Sequence, residues 1–483
     1  MDNINSYAGG RSVLKFESAL IIVCALLPII GHISILEFSI LGVTLTLYRV
    51  FIPLIFLSLL CKRLADNTIN IKSLYGRQYC KFVFALGFMF IYGLISLFIS
   101  PMVDKRIGCL EIYNIGLGIL SIAIIYEISL KKDGLIIYLK TLRVLVALSV
   151  LYGIFEIVTG YHLAFSRYSD PTFLSISNLE NKTINLATGL YYNENDFSTF
   201  IGLFSFLFLP HKNYKTKINV MCIIIFMHII IILSINDSWI VLIGVMLGLI
   251  SYLVIMRAHI INWIISITIF FASSFGGTWI YIQVINLFNT WKFRQKVNLI
   301  ISEPATANLP ATGEKTVIPE KKTVISVDNV VNSQVMGALH KTGSLYYRLY
   351  TYLVSIKETI KQTYGLGFGP GSFSNFSKSL NTSKLLLNPH SLWIEIFTQY
   401  GMIVFFIFVA FLLDLFVKLY QELRKQEYTS QMVGMILALD ITYVVVAFAS
   451  SNWLNSPLIW LPIGLSLALI CNSQTTKVQH KNN

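Results

Sequence analysis

The chain has 483 residues, 55% of them hydrophobic and 13% charged, with a formal net charge of +13 and a mean hydropathy of +0.68. A soluble domain carries about 25% charged residues, so this chain has too little polar material to coat a water-facing surface. Its apolar residues come in blocks close to the ~20 that a helix needs to cross a bilayer, which indicates an all-α polytopic membrane protein. A soluble enzyme, a disordered chain and a secreted disulfide scaffold are excluded.

Taken in order, the apolar windows predict about twelve transmembrane helices. They lie near residues 18–36, 40–60, 82–100, 112–130, 139–160, 196–210, 218–235, 238–256, 259–280, 392–417, 431–449 and 453–472. The first window lacks a short signal-like core ending in an A-x-A site and reads as an anchor that stays. The windows are too hydrophobic for the alternating strands of a lipid-exposed barrel. Residues 1–280 thus hold helices one to nine, 281–391 one large outer loop, 392–472 helices ten to twelve, and 473–483 a tail.

Loop charges alternate. One set of loops and tails, from Arg11 and Lys15 through Lys62, Arg63, Lys131, Lys132, Lys212, Arg257 and Arg424 to Lys481, collects 20 of the 37 basic residues. By the positive-inside rule both termini are cytoplasmic, which requires an even number of spans. Six cysteines are present, none in a C-x-x-C pair and only Cys109 near an outer loop, so no disulfide or metal pair is indicated. The sequons at Asn181, Asn375 and Asn381 read as chance in an Asn-rich chain. Charged residues within or near spans are Arg49, Glu127, Glu156, Asp414 and Asp440. Arg49 is either a structural ion-pair partner or a phosphate ligand inside a cavity. Glu127 and Asp414 are expected to reach water at helix ends, and Asp440 to link two helices.

The outer segment 281–391 holds 12 basic against 5 acidic residues. Its part 303–335, punctuated by Pro304, Pro310 and Pro319, reads as a solvated tether. Over 344–362 the residues Leu345, Leu349, Leu353, Ile356 and Ile360 recur at helical spacing, predicting an amphipathic helix on the membrane or on the bundle. Arg348 and Tyr352 flank that stripe. A glycine-rich turn follows at 365–372, Gly-Leu-Gly-Phe-Gly-Pro-Gly-Ser. It lacks the Gly-Lys-Ser/Thr of a Walker A loop. Gly367 and Gly369 either make a tight turn or bring backbone amides to an anionic head group. Next, Asn388 reads as an N-cap and Pro389 as the first helical residue. His390 then sits at a helix N-terminus, where an anion is favoured and imidazolium disfavoured.

The order outer-loop Arg348, helix, Gly365, Gly367 and Gly369, then Pro389-His390, Glu395 and Gly401 resembles the polymerase/ligase superfamily of bacterial surface polysaccharides. Its members include Wzy-type polymerases, WaaL-type O-antigen ligases and teichuronic-acid-type polymerases. The stretch Asn193-Glu194-Asn195 also looks like a family feature. The resemblance implies a metal-independent, GT-C-like glycosyltransferase without cofactor, in the bacterial cytoplasmic membrane. Its partners would be undecaprenyl-pyrophosphate-linked glycan donor and acceptor and membrane lipid, with a flippase and a chain-length regulator as candidate partners and no nucleic acid. His390 would assist the acceptor hydroxyl and Arg348 would hold the pyrophosphate. Gly367, Gly369, Glu395, Arg49 and Arg294 complete the candidate substrate-binding set. Two positions depart from the pattern: Ser391 stands where Asn is common, and Ser234-Ile235-Asn236-Asp237-Ser238 has no arginine where many members have one. Repeat-unit polymerisation is the leading reading, against ligase-type transfer to an acceptor and, from another class, a lipid-linked oligosaccharide flippase.

Overall fold

The computed structural model describes residues 18–30, 36–40, 43–65, 77–131, 133–177, 179, 184–210, 215–287, 348–379, 391–424, 430–449 and 453–482. His390, Arg294, the tether 303–335 and the cap residues Asn388 and Pro389 lie outside them. The fold is a helical bundle. Its helices are α1 (Ser18–Ile30), α2 (Leu47–Ala65), α3 (Arg77–Ile99), α4 (Lys105–Ser129) and α5 (Gly134–Thr159). They continue with α6 (Glu194–Phe204), α7 (Thr216–Ile235), α8 (Trp239–Ile255) and α9 (Ile260–Leu287). The last four are α10 (348–363), α11 (Leu392–Leu423), α12 (Ser430–Val446) and α13 (Trp460–Asn482).

Every predicted window holds a helix. Among the described residues, six helices are long and apolar enough to cross a membrane: α4, α5, α7, α9, α11 and the Lys81–Ile99 part of α3. A hydrocarbon core offers no water to unpaired backbone groups, so such runs must close their hydrogen bonds within a helix. The chain is a polytopic membrane protein.

Several segments differ from the sequence reading. Between α1 and α2, Leu36–Ile40 and Val43–Leu45 pair as a short antiparallel hairpin instead of prolonging the flanking helices. The window 196–210 folds as the 11-residue α6 and a 3-10 turn, Ser205–Phe208. Together they rise about 24 Å, and Phe197 to Leu209 are buried among the other helices. Helix α13 runs on through the polar end of the chain to Asn482.

Small residues set the closest helix contacts. Gly244 and Gly248 of α8 face α12: a Cβ on Gly248 would stand 2.3 Å from Thr442 Oγ1 and 2.7 Å from the Ala438 carbonyl. Thr442 Oγ1 donates to the Gly244 carbonyl at 3.0 Å, the close backbone approach that small-xxx-small pairs permit. Gly118 of α4 likewise makes room for the buried ring of Trp460 at the start of α13.

Charges at one end of the bundle, here the lower end, are paired across helices. Arg63 Nη2 meets Glu127 Oε2 at 2.5 Å, and Lys81 Nζ meets Asp414 Oδ1 at 2.8 Å. Glu127 and Asp414 are thus ion-pair partners and do not simply reach for water. Asp440 links helices as expected, accepting from Ser466 Oγ at 2.8 Å.

Candidate functional site

The candidate residues collect at the opposite, upper end, around residues 447–449 and 453–459, which lie between α12 and α13. Arg348 opens α10. Its Nη1 donates to the carbonyls of Phe448 and Ala449, each at 3.1 Å. These carbonyls end a helical segment, where a cation is favoured. Tyr352, one turn on, donates to the same Phe448 carbonyl at 3.3 Å and sits beside Ser391. The other end of the motif arrives at the same place. The Leu392 amide donates to the Ala447 carbonyl at 2.8 Å, and the Trp393 and Phe448 rings pack with centroids 6.2 Å apart. Arg348 and Leu392, two residues after His390, therefore meet the same stretch 447–449 although 44 positions separate them in sequence. Burial lowers the Arg348 guanidinium from its usual value, with Tyr352 acting in the opposite sense. An arginine stays charged regardless.

The apolar stripe of α10 faces away from the protein. Thr351, Ser355 and Thr359 are buried, whereas Leu349, Leu353 and Ile360 are 50%, 69% and 51% exposed. The small polar face packs on the bundle, and the leucines are left exposed.

The glycine turn is a fold element. Gly365, Gly367, Gly369 and Gly371 all have positive φ, and the amides from 365 to 372 are used within the protein. Gly365 N donates to Thr359 O and Leu366 N to Thr363 O. Gly367 N donates to Thr363 Oγ1 at 3.0 Å. Phe368 N and Gly369 N donate to the carbonyls of Thr398 and Gln399, both at 2.8 Å. Gly371 N is shared between Gln399 Oε1 at 2.5 Å and Glu111 Oε2 at 3.2 Å. Of the two readings of this turn, the Gly367 and Gly369 amides show the tight-turn use, since both donate within the fold. Their partner is the break in α11 at Gly401 (φ 81°, ψ 175°), where Met402 N donates to the Gly365 carbonyl at 2.7 Å. The spacing from Gly365 to Gly401 thus marks two glycine backbones in contact.

Glu395 and Tyr400 are both buried at the start of α11. Tyr400 donates to Glu111 Oε1 at 2.7 Å. Glu111 did not stand out in the sequence; its only signal was a lone carboxylate between Leu110 and Ile112. Arg49, near the start of α2, donates from Nε to Asn114 Oδ1 at 3.3 Å. Asn114 Nδ2 donates to Asn455 Oδ1 at 2.6 Å. Arg49 is thereby linked to Asn455, just before α13, from the side of α2 and α4.

Residues 160–177 and 184–193 occupy another part of the upper end. Arg167 pairs with Glu194, which also accepts from Tyr168 Oη at 3.0 Å. The guanidinium lies 4.9 Å from the Tyr168 ring centroid and 5.0 Å from that of Phe173. Burial, then the charge of Glu194, pushes the Tyr168 phenol up to about 12. Glu194 belongs to the Asn193-Glu194-Asn195 stretch noted in the sequence, and Asn193 caps α6 by accepting from Asp196 N at 2.9 Å. Where an arginine was expected near 234–238, Asn236 is buried and exchanges hydrogen bonds with the Ala187 backbone, 2.9 Å to N and 2.8 Å to O. Among the described residues no group of three or more His, Cys, Asp or Glu side chains is arranged to hold a metal ion.

No protein-family model matches this chain. It is similar to the teichuronic acid biosynthesis protein TuaE of Bacillus subtilis (strain 168), 21% identical over 414 residues, which cover 84% of this chain and 74% of the relative.

Proposed function

We propose that this chain is a membrane glycosyltransferase that joins undecaprenyl-pyrophosphate-linked oligosaccharide repeat units into a surface polysaccharide. In this reading the upper end faces out from the cytoplasmic membrane, all twelve apolar helices cross it, and both termini are cytoplasmic. The similarity to a teichuronic acid biosynthesis protein supports a role in polysaccharide assembly. The observation that carries the reaction is the shared anchor of Arg348 and the start of α11, immediately after His390.

The chemistry needs a group to take a proton and a group to accept departing charge. The acceptor hydroxyl attacks C1 of the donor sugar, and His390 takes the hydroxyl proton as the new C–O bond forms. The bond from C1 to the pyrophosphate oxygen breaks with its electron pair, leaving negative charge on the lipid-linked phosphate. Arg348 has one nitrogen occupied by Phe448 and Ala449, and its planar fork offers further N–H donors to that charge. Glu395, buried and ahead of Gly401, positions the first turn of α11. The energy comes from the lipid-linked donor, so no nucleotide is required.

The test is direct. Full-length protein in lipid nanodiscs is given a purified lipid-linked repeat unit without nucleotide, and products are resolved by size. A ladder of lengthened lipid-linked glycan supports the proposal. Transfer of the glycan to a different acceptor supports ligase-type chemistry, and movement across the bilayer without bond formation refutes glycosyl transfer.

A further inference from the structure

At the lower end, where α7, α9 and α12 begin and α8 stops, the helices leave a cavity of about 440 Å³. Its lining changes with depth. Arg257 and His259, in the connection from α8 to α9, and Asn262, in the first turn of α9, make the outer part; Phe226, Leu249 and Ile269 make the inner wall. Asn262 and Ile269 are separated along α9 by about 10 Å at the helical rise. Among the described residues that line the cavity none is acidic. Helix α9 is also the least packed of the six membrane-length helices among the described residues: 17% of its apolar window is buried, against 28% to 61% in the others. Ile261 and Ile264, sequence neighbours of lining residues, are 64% and 60% exposed.

Arg257 is held at this cavity against the preference of its backbone. Helix α8 ends in a Schellman motif: the Arg257 amide donates to the Val254 carbonyl at 3.1 Å and the Ala258 amide to the Leu253 carbonyl at 3.0 Å. That motif puts one residue in the left-handed conformation, where glycine is the usual choice. Here Arg257 takes it, at φ 47°, although a Cβ is disfavoured there. Among the described residues its guanidinium has no hydrogen-bond or ion-pair partner. A cation at the mouth of a cavity with an apolar depth suits a ligand that joins an anionic head to hydrocarbon. A soluble anion leaves the inner wall unfilled, and a zwitterionic lipid brings an ammonium for which the lining has no carboxylate. We propose that this cavity holds an anionic glycerophospholipid, with its phosphate on Arg257 beside His259 and the start of an acyl chain against Phe226, Leu249 and Ile269. The lipid completes the packing of α9 on α7 and α8. In the orientation proposed above it belongs to the cytoplasmic leaflet, whose anionic lipids attract basic residues. The cavity lies at the end away from Arg348 and the glycine turn, so the assignment is independent of glycosyl transfer.

In the experiment, the full-length protein in detergent is titrated with phosphatidylglycerol, and bound lipid is counted by native mass spectrometry. One saturable site is expected, with phosphatidylcholine severalfold weaker and inorganic phosphate unable to compete. Arg257→Gly suits the left-handed backbone and so keeps the fold. It should weaken the site about tenfold, the effect of losing a charge-assisted hydrogen bond. Ser266→Trp, at a lining position one turn beyond Asn262, should abolish binding by filling the cavity. Lys217→Gln removes a charge at the same end from outside the lining and should bind like wild type.

Undiminished binding in Arg257→Gly, or in a folded Ser266→Trp, overturns the assignment; where Ser266→Trp does not fold, Arg257→Gly decides. Equal weakening in Lys217→Gln overturns it too, since it marks attraction to a charged surface alone. Displacement of the lipid by inorganic phosphate marks a free-anion site and has the same consequence. Absence of saturable binding refutes the lipid and leaves the cavity to be filled from within the chain. A single site for phosphatidylglycerol that depends on Arg257 supports the assignment, whether or not the protein builds polymer.

Discussion

Gly401→Ala tests whether the glycine turn and the α11 break act as one joint. At φ 81°, ψ 175° the backbone lies in a region essentially reserved for glycine, and an alanine there costs about 1–3 kcal/mol. The added Cβ would also stand 2.4 Å from the Leu366 carbonyl oxygen and 2.7 Å from that of Gly365. Both are backbone atoms and cannot swing aside. If the turn backs away, it loses the hydrogen bonds from Met402 N, Phe368 N and Gly369 N. Each contributes about 0.5–1.5 kcal/mol, and more if its donor is left buried without a partner. Strain and lost bonds together come to roughly 3–6 kcal/mol, a large part of the 5–15 kcal/mol typical of a folded domain. At an unfolding entropy of about 2.1 cal/mol/K per residue this lowers the melting midpoint by about 3–6 °C. The assay is thermal unfolding of the detergent-solubilised protein, followed by loss of the monodisperse peak, beside Gly87→Ala as the neutral comparison. A Gly401→Ala midpoint within about 1 °C of wild type would refute the joint and the reasoning behind it.

Other outcomes follow from the same geometry. Arg348→Ala and His390→Ala should each lower polymer formation by about 10²-fold or more at unchanged membrane abundance; product length at equal protein is the readout. Gly248→Val should drive α8 from α12, since its Cβ meets Thr442 Oγ1 and the Ala438 carbonyl; a cysteine pair engineered across that contact should then cross-link less readily. Asn236→Ala leaves the Ala187 backbone unpaired at a cost of about 1–3 kcal/mol, and limited trypsin digestion should cut faster at Arg167. The Tyr168 phenol, pushed up to about 12 by burial and Glu194, holds its proton more tightly folded than unfolded. Its contribution is complete below pH ~10 and is lost as pH rises towards 12. Melting of Tyr168→Phe should therefore fall less steeply than wild type across that window.

What could be read from the sequence was what lipid forces. A block of twenty apolar residues can satisfy its backbone only as a helix, so all twelve windows hold helices, and Asp440 finds its partner on α13. Features set by contacts between distant segments could not be read. The glycine turn gave no sign of whether its amides would face a ligand or a helix break 30 residues downstream, because both uses require the same positive φ. The leucine stripe of α10 was plain, but two apolar environments compete for it, and Thr351, Ser355 and Thr359 took the side towards protein. Glu111 was overlooked because its partners, Gly371, Gln399 and Tyr400, come from segments more than 250 positions away.

Helix α10 rests on the bundle by a narrow polar face and offers its leucines to the surroundings. In the proposed orientation such a helix lies at the depth where hydrocarbon meets head groups, and Arg348 is part of it. The height of that cation above the bilayer is then set partly by lipid as well as by protein. Bilayer thickness becomes a control variable for the site. Acyl chains longer or shorter than native should raise or lower α10 against residues 447–449 and strain the hydrogen bonds of Arg348 to Phe448 and Ala449, so that the membrane itself takes part in aligning the site.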